Sequence, residues 1–414
     1  MSVDPGVVIV GAGQGGFQVA VSLREGGYDG PVVLVGDEAG LPYERPPLSK
    51  SYLTGQASDD SVLLRPARYF QDHGIEVVRG QRVQSLDRSA RSVTLDDGRR
   101  LPYGHLVLAT GTRPRPLPVP GAELAGVHTL RTLTDAAALR SALAGVQHVV
   151  VVGGGFIGLE FASVATGLGL STVVVEAAPR PMARALSEPM SAWFAGAHRG
   201  RGVRLLLDEG VARIDGRDGR VVGVTTRSGR EVPADVVLVG IGVVPNDELA
   251  AAAGLATDDG VVVDGLMVTS DPDVSAVGDC AAFVSPSHGR RIRIESVQNA
   301  TDQARTVAAR LTGTPAPYSA VPWFWSDQGD WRLQIVGMNT DCDTTVVRGD
   351  PDAARFSVFC FRGGELVSVE SVNRAADHVV GRRLLAAGHA LTPEQAADPA
   401  FDLKTHARQA ATSA

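Results

Sequence analysis

Two stretches of this sequence have residue types and spacing suited to one kind of chemistry, the holding of a pyrophosphate. They are VVIVGAGQGG, Val7 to Gly16, and VVVVGGGFIG, Val149 to Gly158. Each sets a β-branched run before G-x-G-x-x-G, with glycines at Gly11, Gly13 and Gly16 and again at Gly153, Gly155 and Gly158. The first glycine allows a tight turn, the second lets the backbone approach a diphosphate, and the third lets a helix pack closely on a strand. The helix that follows then offers free N–H groups and the positive end of its dipole. Each loop continues into a helical pattern, FQVAVSLREGG or LEFASVATGLG, and then a strand ending in acid, VVLVGDE or TVVVEAA. Asp37 or Glu38 in the first copy, and Glu176 in the second, can accept both hydroxyls of a ribose. A single copy would be a weak sign, because a glycine turn without function has the same letters. Two copies in the same strand–turn–helix–strand–acid context indicate two dinucleotide sites, most simply for FAD and a nicotinamide nucleotide.

The elements that must carry these loops define an α/β chain. LVLATGTRPRPLPVPG, Leu106 to Gly121, is a strand that breaks at Thr110-Gly111 into a connector held extended by prolines 114, 116, 118 and 120. Much later, TSDPDVSAVGDCAAF is a strand ending in Gly-Asp, where Asp279 can bond a ribityl hydroxyl. The first dinucleotide domain therefore leaves at about Gly111 and resumes near Gly242. The expected division is residues 1–112 with 243–318 for FAD, 113–242 for the nicotinamide nucleotide, and a C-terminal α+β domain over 319–414. In that last part WRLQIVG, TTVVRG, RFSVFCF and LVSVESV alternate as strands, and a helix is predicted near residues 375–387. RIESVQNATDQARTVAARL predicts another helix, starting near Ser296 with Glu295 at its mouth.

Composition narrows the classes. With 44% hydrophobic and 21% charged residues the chain is of ordinary globular type, and a net charge of -7 argues against a generic nucleic-acid binder. The three cysteines, Cys280, Cys342 and Cys360, contain no C-x-x-C, which fits a reducing cytoplasm rather than a disulfide scaffold. MSVDPGVVIVGAG has no basic n-region, so no signal peptide is expected, and no apolar run approaches the ~20 residues of a membrane span. The nine histidines show no metal-ligand spacing, and hydride transfer between cofactors demands no general base. Cys280 has no partner and reads as a small residue at a tight strand end.

Together with LPYERPPLSK, LVLATG, VVGGGFIGLE, GIGVVPN, VGDCA, RIESVQNA and PWFWSDQ, taken in this order over nearly the whole chain, these residues resemble one family. It is the NADH-dependent ferredoxin reductases of bacterial oxygenase systems, similar to glutathione reductase in fold but lacking its redox disulfide. The resemblance implies FAD in the first site, held by Gly11, Gly13, Gly15, Gly16, Asp37, Lys50, Val83, Thr110, Gly111, Arg131, Asp279, Val297 and Trp325. It implies NADH in the second, on Gly153, Gly155, Ile157, Gly158 and Glu176. Gly15, where relatives often have alanine, would act through its backbone, as would Val297 at a helix start facing the flavin. Lys50 and Glu160 form the candidate catalytic pair, with the ammonium near flavin N5 and the carboxylate restraining it.

RPPLSK, Arg45 to Lys50, offers no cysteine pair, so the flavin would be the only internal electron store. Glu176 is followed by Ala177 and Ala178 and not by arginines, which favours NADH over NADPH, although Arg180 and Arg184 lie near in sequence. Trp325 would lie beside the flavin and line the electron exit. The implied partner is a small acidic 2Fe–2S ferredoxin feeding an oxygenase, a P450-type monooxygenase by expectation, with Arg65 and Arg305 as candidate docking residues. The alternatives are rubredoxin, oxygen or a quinone as acceptor, or a flavin-loaded signalling protein that changes partners. The chain is expected to be a monomer or weak homodimer.

Overall fold

The computed structural model describes residues 5–286, 289–388 and 390–412. The first glycine loop joins β1 (Val7–Val10) to α1 (Gln14–Glu25), and β2 (Val32–Gly36), β3 (Ile75–Arg79) and β4 (His105–Leu108) follow. The second joins β5 (His148–Val152) to α2 (Phe156–Gly167). After it come β6 (Ser171–Val175), α3 (Glu188–Gly200), β7 (Arg204–Leu206) and β8 (Val236–Val239). The chain continues through β9 (Val274–Ala276) and α4 (Val297–Leu311). It then forms β10 (Trp323–Gln328), β11 (Trp331–Gly337), β12 (Thr344–Asp350), β13 (Arg355–Arg362), β14 (Glu365–Val372) and the helix α5 (Ala375–Ala387).

These elements form two compact units. One contains the chain up to Glu44, Asp59–Arg113 and Val243–Ala320; the other contains Arg45–Ser58, Pro114–Gly242 and the chain from Val321 on. The segment Arg45–Ser58, which the sequence division placed with the first Rossmann unit, thus belongs to the second compact unit. Its Leu53 is buried in that unit's apolar core with Phe161, Phe194 and Leu333.

In the first unit the strands run in the order β9-β4-β1-β2-β3, all parallel. Every residue of β1 and β4 is buried, as expected for strands covered on both faces. The second unit repeats this plan as β7-β6-β5-β8, with Val127–His128 at the edge. It also holds the antiparallel sheet β10-β11-β14-β13-β12. The alternating segments near the C-terminus form that sheet, and α5 spans the residues that its pattern predicts. Among the described residues no helix is long and apolar enough to cross a membrane.

Candidate functional site

The two glycine loops have the same backbone. Gly11 has φ +110° and Gly153 φ +107°, values that L side chains rarely adopt, and a Cβ there would sit 2.2 Å from Ala109 O or 2.4 Å from Gly240 O. A Cβ at Gly16 would meet Gly11 O at 1.9 Å, and one at Gly158 would meet Gly153 O at 2.2 Å. These four positions require glycine for packing. Gly13 and Gly155 differ: a Cβ at either would meet no protein atom within 4 Å, so these positions face open space in front of a helix. Each is the N-cap of its twelve-residue helix and supplies no side-chain cap, leaving the first-turn N–H groups to a ligand. Both loops fit a dinucleotide diphosphate on this evidence. At Gly15 an added Cβ would make ordinary contact, 3.4 Å from Val277 Cγ2, so alanine is accommodated.

Around the first loop the structure gathers much of the expected FAD set. Thr110 N lies 3.1 Å from the Cβ position of Gly11, and Thr110 and Gly111 are tied to Asn246 by hydrogen bonds of 2.6, 2.8 and 2.9 Å. Gly278, in the turn that presents half-buried Asp279, donates its N–H to buried Gln303 of α4 at 2.7 Å. Thr112 Oγ1 lies 3.4 Å from Asp279 Oδ2. Helix α4 begins at Val297, capped by Ser296, whose Oγ accepts the Asn299 N–H at 3.0 Å; the cap leaves the Val297 N–H uncommitted to it. Glu295 pairs with Arg293 at 2.7 Å. Past β2, Glu38 accepts the Tyr43 hydroxyl at 2.7 Å while Asp37 is exposed, which separates the two candidate ribose acids. Val83 begins the strand that follows the Gln81 N–H bond back to Gly36 O at 3.0 Å. Cys280 is fully buried, and burial pushes its thiol pKa up, in keeping with a packing role.

In the second unit Glu176 closes its loop from below. Its Oε2 accepts the Gly154 N–H at 2.5 Å and its Oε1 the Ala178 N–H at 2.7 Å. Arg180 donates to Leu186 O at 2.7 Å and Ala183 O at 3.0 Å, so its guanidinium is committed to local backbone. Ile157 is 43% exposed at the loop, available to a ligand.

Lys50 and Glu160 meet in this unit, although 110 residues separate them. The prolines of RPPLSK start a short 3-10 turn, Pro46–Ser49, and Lys50 Nζ donates back to Pro46 O at 3.0 Å. The same ammonium donates to Glu160 Oε2 at 2.7 Å. Glu160 lies in the first turns of α2 and is only 2% exposed. Its remaining acceptor capacity is filled by Ser49 Oγ on Oε2 and by Ser326 Oγ on Oε1, the latter at 2.6 Å. A buried carboxylate without donors would cost several kcal/mol, so this set is what permits the acid to sit there.

Arg131, Lys50 and Trp325 all lie in the second unit, and the other FAD candidates in the first. The backbone of Arg131 is fixed by Asp135, which accepts its N–H at 3.0 Å, and by Arg45, which donates to its carbonyl. Trp325 is half-buried on β10, 5.7 Å from the Trp323 ring, and its neighbour Phe324 packs with its ring tilted, 4.6 Å from Phe156 of the second glycine loop. Arg65 and Arg305 are exposed on the first unit, Arg305 paired with Asp302 at 3.1 Å. Ser49, Ser326, Gln328, His198 and Glu370 were not among the residues expected at the site. A signal existed for Ser326 and Gln328, since period-two alternation sets them on one face of β10.

Two glycine cradles, each followed by a strand that ends in an acid, define an oxidoreductase that works with two dinucleotides. The chain belongs to the family described as pyridine nucleotide-disulphide oxidoreductases, which matches residues 5–304, and residues 323–407 match a reductase C-terminal domain. FAD and a pyridine nucleotide are its cofactors. More particularly, it is 54% identical to rhodocoxin reductase of Rhodococcus erythropolis over 398 residues, 96% of this chain and 93% of that one. The crystal structure of a ferredoxin reductase from Rhodopseudomonas palustris superposes with a TM-score of 0.96 at 51% identity, covering 98% of this chain and all of that one. A covalent putidaredoxin reductase–putidaredoxin complex gives 0.95 at 40% identity, covering 98% and 99%.

Proposed function

We propose that this enzyme takes hydride from NADH and passes single electrons to a small acidic 2Fe–2S ferredoxin, which feeds an oxygenase of the cytochrome P450 type. The observation that carries this reading is the Lys50–Glu160 pair, 2.7 Å apart, in a RPPLSK segment that has no cysteine. A family named for disulphide chemistry would store an electron pair in a dithiol at such a point. FAD, when bound, accepts a hydride and releases electrons one at a time.

The remaining chemistry belongs to the chain's own residues. Gly11, Gly13, Gly15 and Gly16, with Asp37, Val83, Thr110, Gly111, Asp279 and the N–H of Val297, would hold FAD, and Arg131 and Trp325 would complete its contacts. Gly153, Gly155, Ile157 and Gly158 would hold NADH. Glu176 would bond its ribose diol and repel a 2′-phosphate, a preference supported by the commitment of Arg180 to backbone carbonyls. Lys50 supplies a fixed cation that favours arriving negative charge, and Glu160 keeps it in place. The functional domains would be residues 1–112 with 243–318, 113–242 and 319–414, the segment Arg45–Ser58 being packed into the second compact unit. The protein would work in the cytoplasm as a monomer or weak homodimer, with Arg65 and Arg305 among the cations offered to the acidic partner.

Stopped-flow mixing with NADH, followed by a purified 2Fe–2S ferredoxin, tests the proposal. Flavin bleaching and ferredoxin reduction faster than NADH consumption under oxygen alone are expected. Reduction of rubredoxin or a quinone in preference to any ferredoxin would replace the acceptor, and absence of bleaching would remove the reductase reading. Lys50→Met is expected to slow bleaching while FAD stays bound.

A further inference from the structure

Glu160 is the end of a longer buried chain. Ser326 and Gln328, both fully buried, share one face of β10. Gln328 Nε2 lies 3.2 Å from Ser326 Oγ, and Gln328 Oε1 lies 2.7 Å from Nε2 of His198, itself 1% exposed in the last turn of α3. Beginning from Glu160, each hydrogen bond has one direction. A carboxylate paired with an ammonium only accepts, so Ser326 must give it its proton. Ser326 Oγ then serves Gln328 as acceptor, which sets the amide nitrogen on that side. The Gln328 carbonyl is therefore turned to His198, which must donate through Nε2–H.

Two further observations agree with this direction. The Gln328 amide nitrogen also lies 3.6 Å from Met182 Sδ, a weak acceptor that would satisfy an N–H and do nothing for a carbonyl. His198 Nδ1 is buried with no hydrogen-bond partner, as a bare lone pair should be when the proton is on Nε2. Burial lowers the His198 pKa and so favours the neutral ring, for which one tautomer must be chosen.

We propose that Ser326, Gln328 and His198 are positioning residues for the Lys50–Glu160 pair, a one-way donor chain that locks the plane of the Glu160 carboxylate and through it the Lys50 ammonium. Lys50 and Ser49 both bind Oε2, so they leave the carboxylate free to swing about that oxygen; the Ser326 donor on Oε1 removes that freedom. The inference rests on the role given to Lys50 and Glu160 above.

The test uses the holoenzyme and four variants: Ser326→Ala, His198→Leu, His198→Gln and Lys50→Met. Gln at position 198 can place an N–H near the Nε2 position, so it serves as the rescue. Nitrogen-15 NMR of histidine-labelled protein, with His198 assigned from its loss in the variants, reads the tautomer without reference to turnover. The expected result is an Nε2–H ring with an unprotonated Nδ1. Ser326→Ala and His198→Leu should each lower the limiting rate of flavin reduction by about fivefold to tenfold, a fraction of what a hydrogen bond to charge contributes. FAD content and the dissociation constant of NADH should stay unchanged, the flavin potential should fall, and His198→Gln should restore rate and potential.

An Nδ1–H tautomer would overturn the proposal, as would a His198→Gln variant that behaves like His198→Leu. If Lys50→Met slows reduction while Ser326→Ala and His198→Leu match the wild type, the positioning chain fails and the Lys50 reading stands. If Lys50→Met matches the wild type too, that reading fails and takes the chain with it.

Discussion

Glu370 offers a sharp test of how burial and hydrogen bonding compete in this fold. Its side chain lies on β14 with no solvent exposure. Oε1 accepts the Ser187 N–H at 2.8 Å and Asn339 Nδ2 at 3.0 Å, and Oε2 accepts Ser187 Oγ at 2.6 Å. Burial outweighs these donors and the nearby Arg180, pushing the pKa from 4.5 up to about 7. Between those values the folded chain holds a proton that the unfolded chain has released. Stability therefore falls as pH rises from 4.5 to about 7 and levels off above it. At 1.36 kcal/mol per tenfold change in proton affinity, the loss across this window is about 3 kcal/mol. Glu370→Gln keeps the shape of the protonated side chain: its oxygen can accept from Ser187 N–H and Asn339, and its nitrogen can donate to Ser187 Oγ. The variant should match the wild type near pH 4.5 and exceed it above pH 7, by about 3 to 4 °C in the unfolding midpoint. Thermal scans of both holoenzymes from pH 5 to 8 supply the comparison, and groups titrating in both cancel in the difference. Parallel curves, with a gap that does not change with pH, would refute the reasoning.

Other substitutions separate the two cradles. Gly16→Ala should give protein that loses FAD on gel filtration, since the new Cβ would lie 1.9 Å from Gly11 O, whereas Gly15→Ala should retain it. Gly158→Ala should leave FAD bound and weaken NADH by about tenfold or more in an equilibrium titration, because its Cβ falls 2.2 Å from Gly153 O. Glu176→Gln should raise kcat/KM for NADPH relative to NADH by about tenfold through loss of like-charge repulsion, measured with both nucleotides at equal ionic strength. His105 is held neutral by burial, with Arg310 and Arg91 adding to the effect, and its pKa falls from 6.5 to about 3. Its contribution is present above pH 6.5 and is lost as pH falls towards 3, so His105→Gln should flatten acid destabilisation in urea titrations.

The glycine loops were legible because their backbone demands have only one residue that satisfies them. At Gly11 and Gly153 the conformation excludes side chains, and at Gly16 and Gly158 a carbonyl oxygen occupies the place of a Cβ. The start of α4 was legible for a similar reason, since Ser296 is both a cap by type and a cap by contact. The Lys50–Glu160 pair was reached only through resemblance, because no local rule links residues 110 positions apart. Glu370 was hidden by its own pattern. LVSVESV alternates, and alternation alone assigns Ser368 and Glu370 to a wet face. That face is instead covered, and both residues are fully buried. Period two tells which side chains share a face but carries no information about what another part of the chain lays over it. The grouping of Arg45–Ser58 with the second unit is a fact of the same long-range kind.

Two buried polar clusters of the second unit meet on one helix. At the start of α3, Ser187 is held by Glu370 of β14; at its last turn, His198 is held by Gln328 of β10. Between these points Trp193 and Phe194 pack edge-on against Trp331 of β11, and Trp193 also meets Phe356 of β13 at 5.2 Å. Apolar packing supplies most of the adhesion but tolerates small slides, since one close contact resembles the next. A hydrogen bond at each end does not tolerate a slide of even 1 Å, so the pair fixes the helix along its axis. This makes His198 a suitable terminus for the chain that reaches Lys50: the donor is anchored to a helix that is itself anchored. A lysine held only by its own flexible stem would average over several rotamers. On the proposed role, a charge held through Glu160, Ser326, Gln328 and His198 would keep one position, which is what an electrostatic contribution to hydride transfer requires.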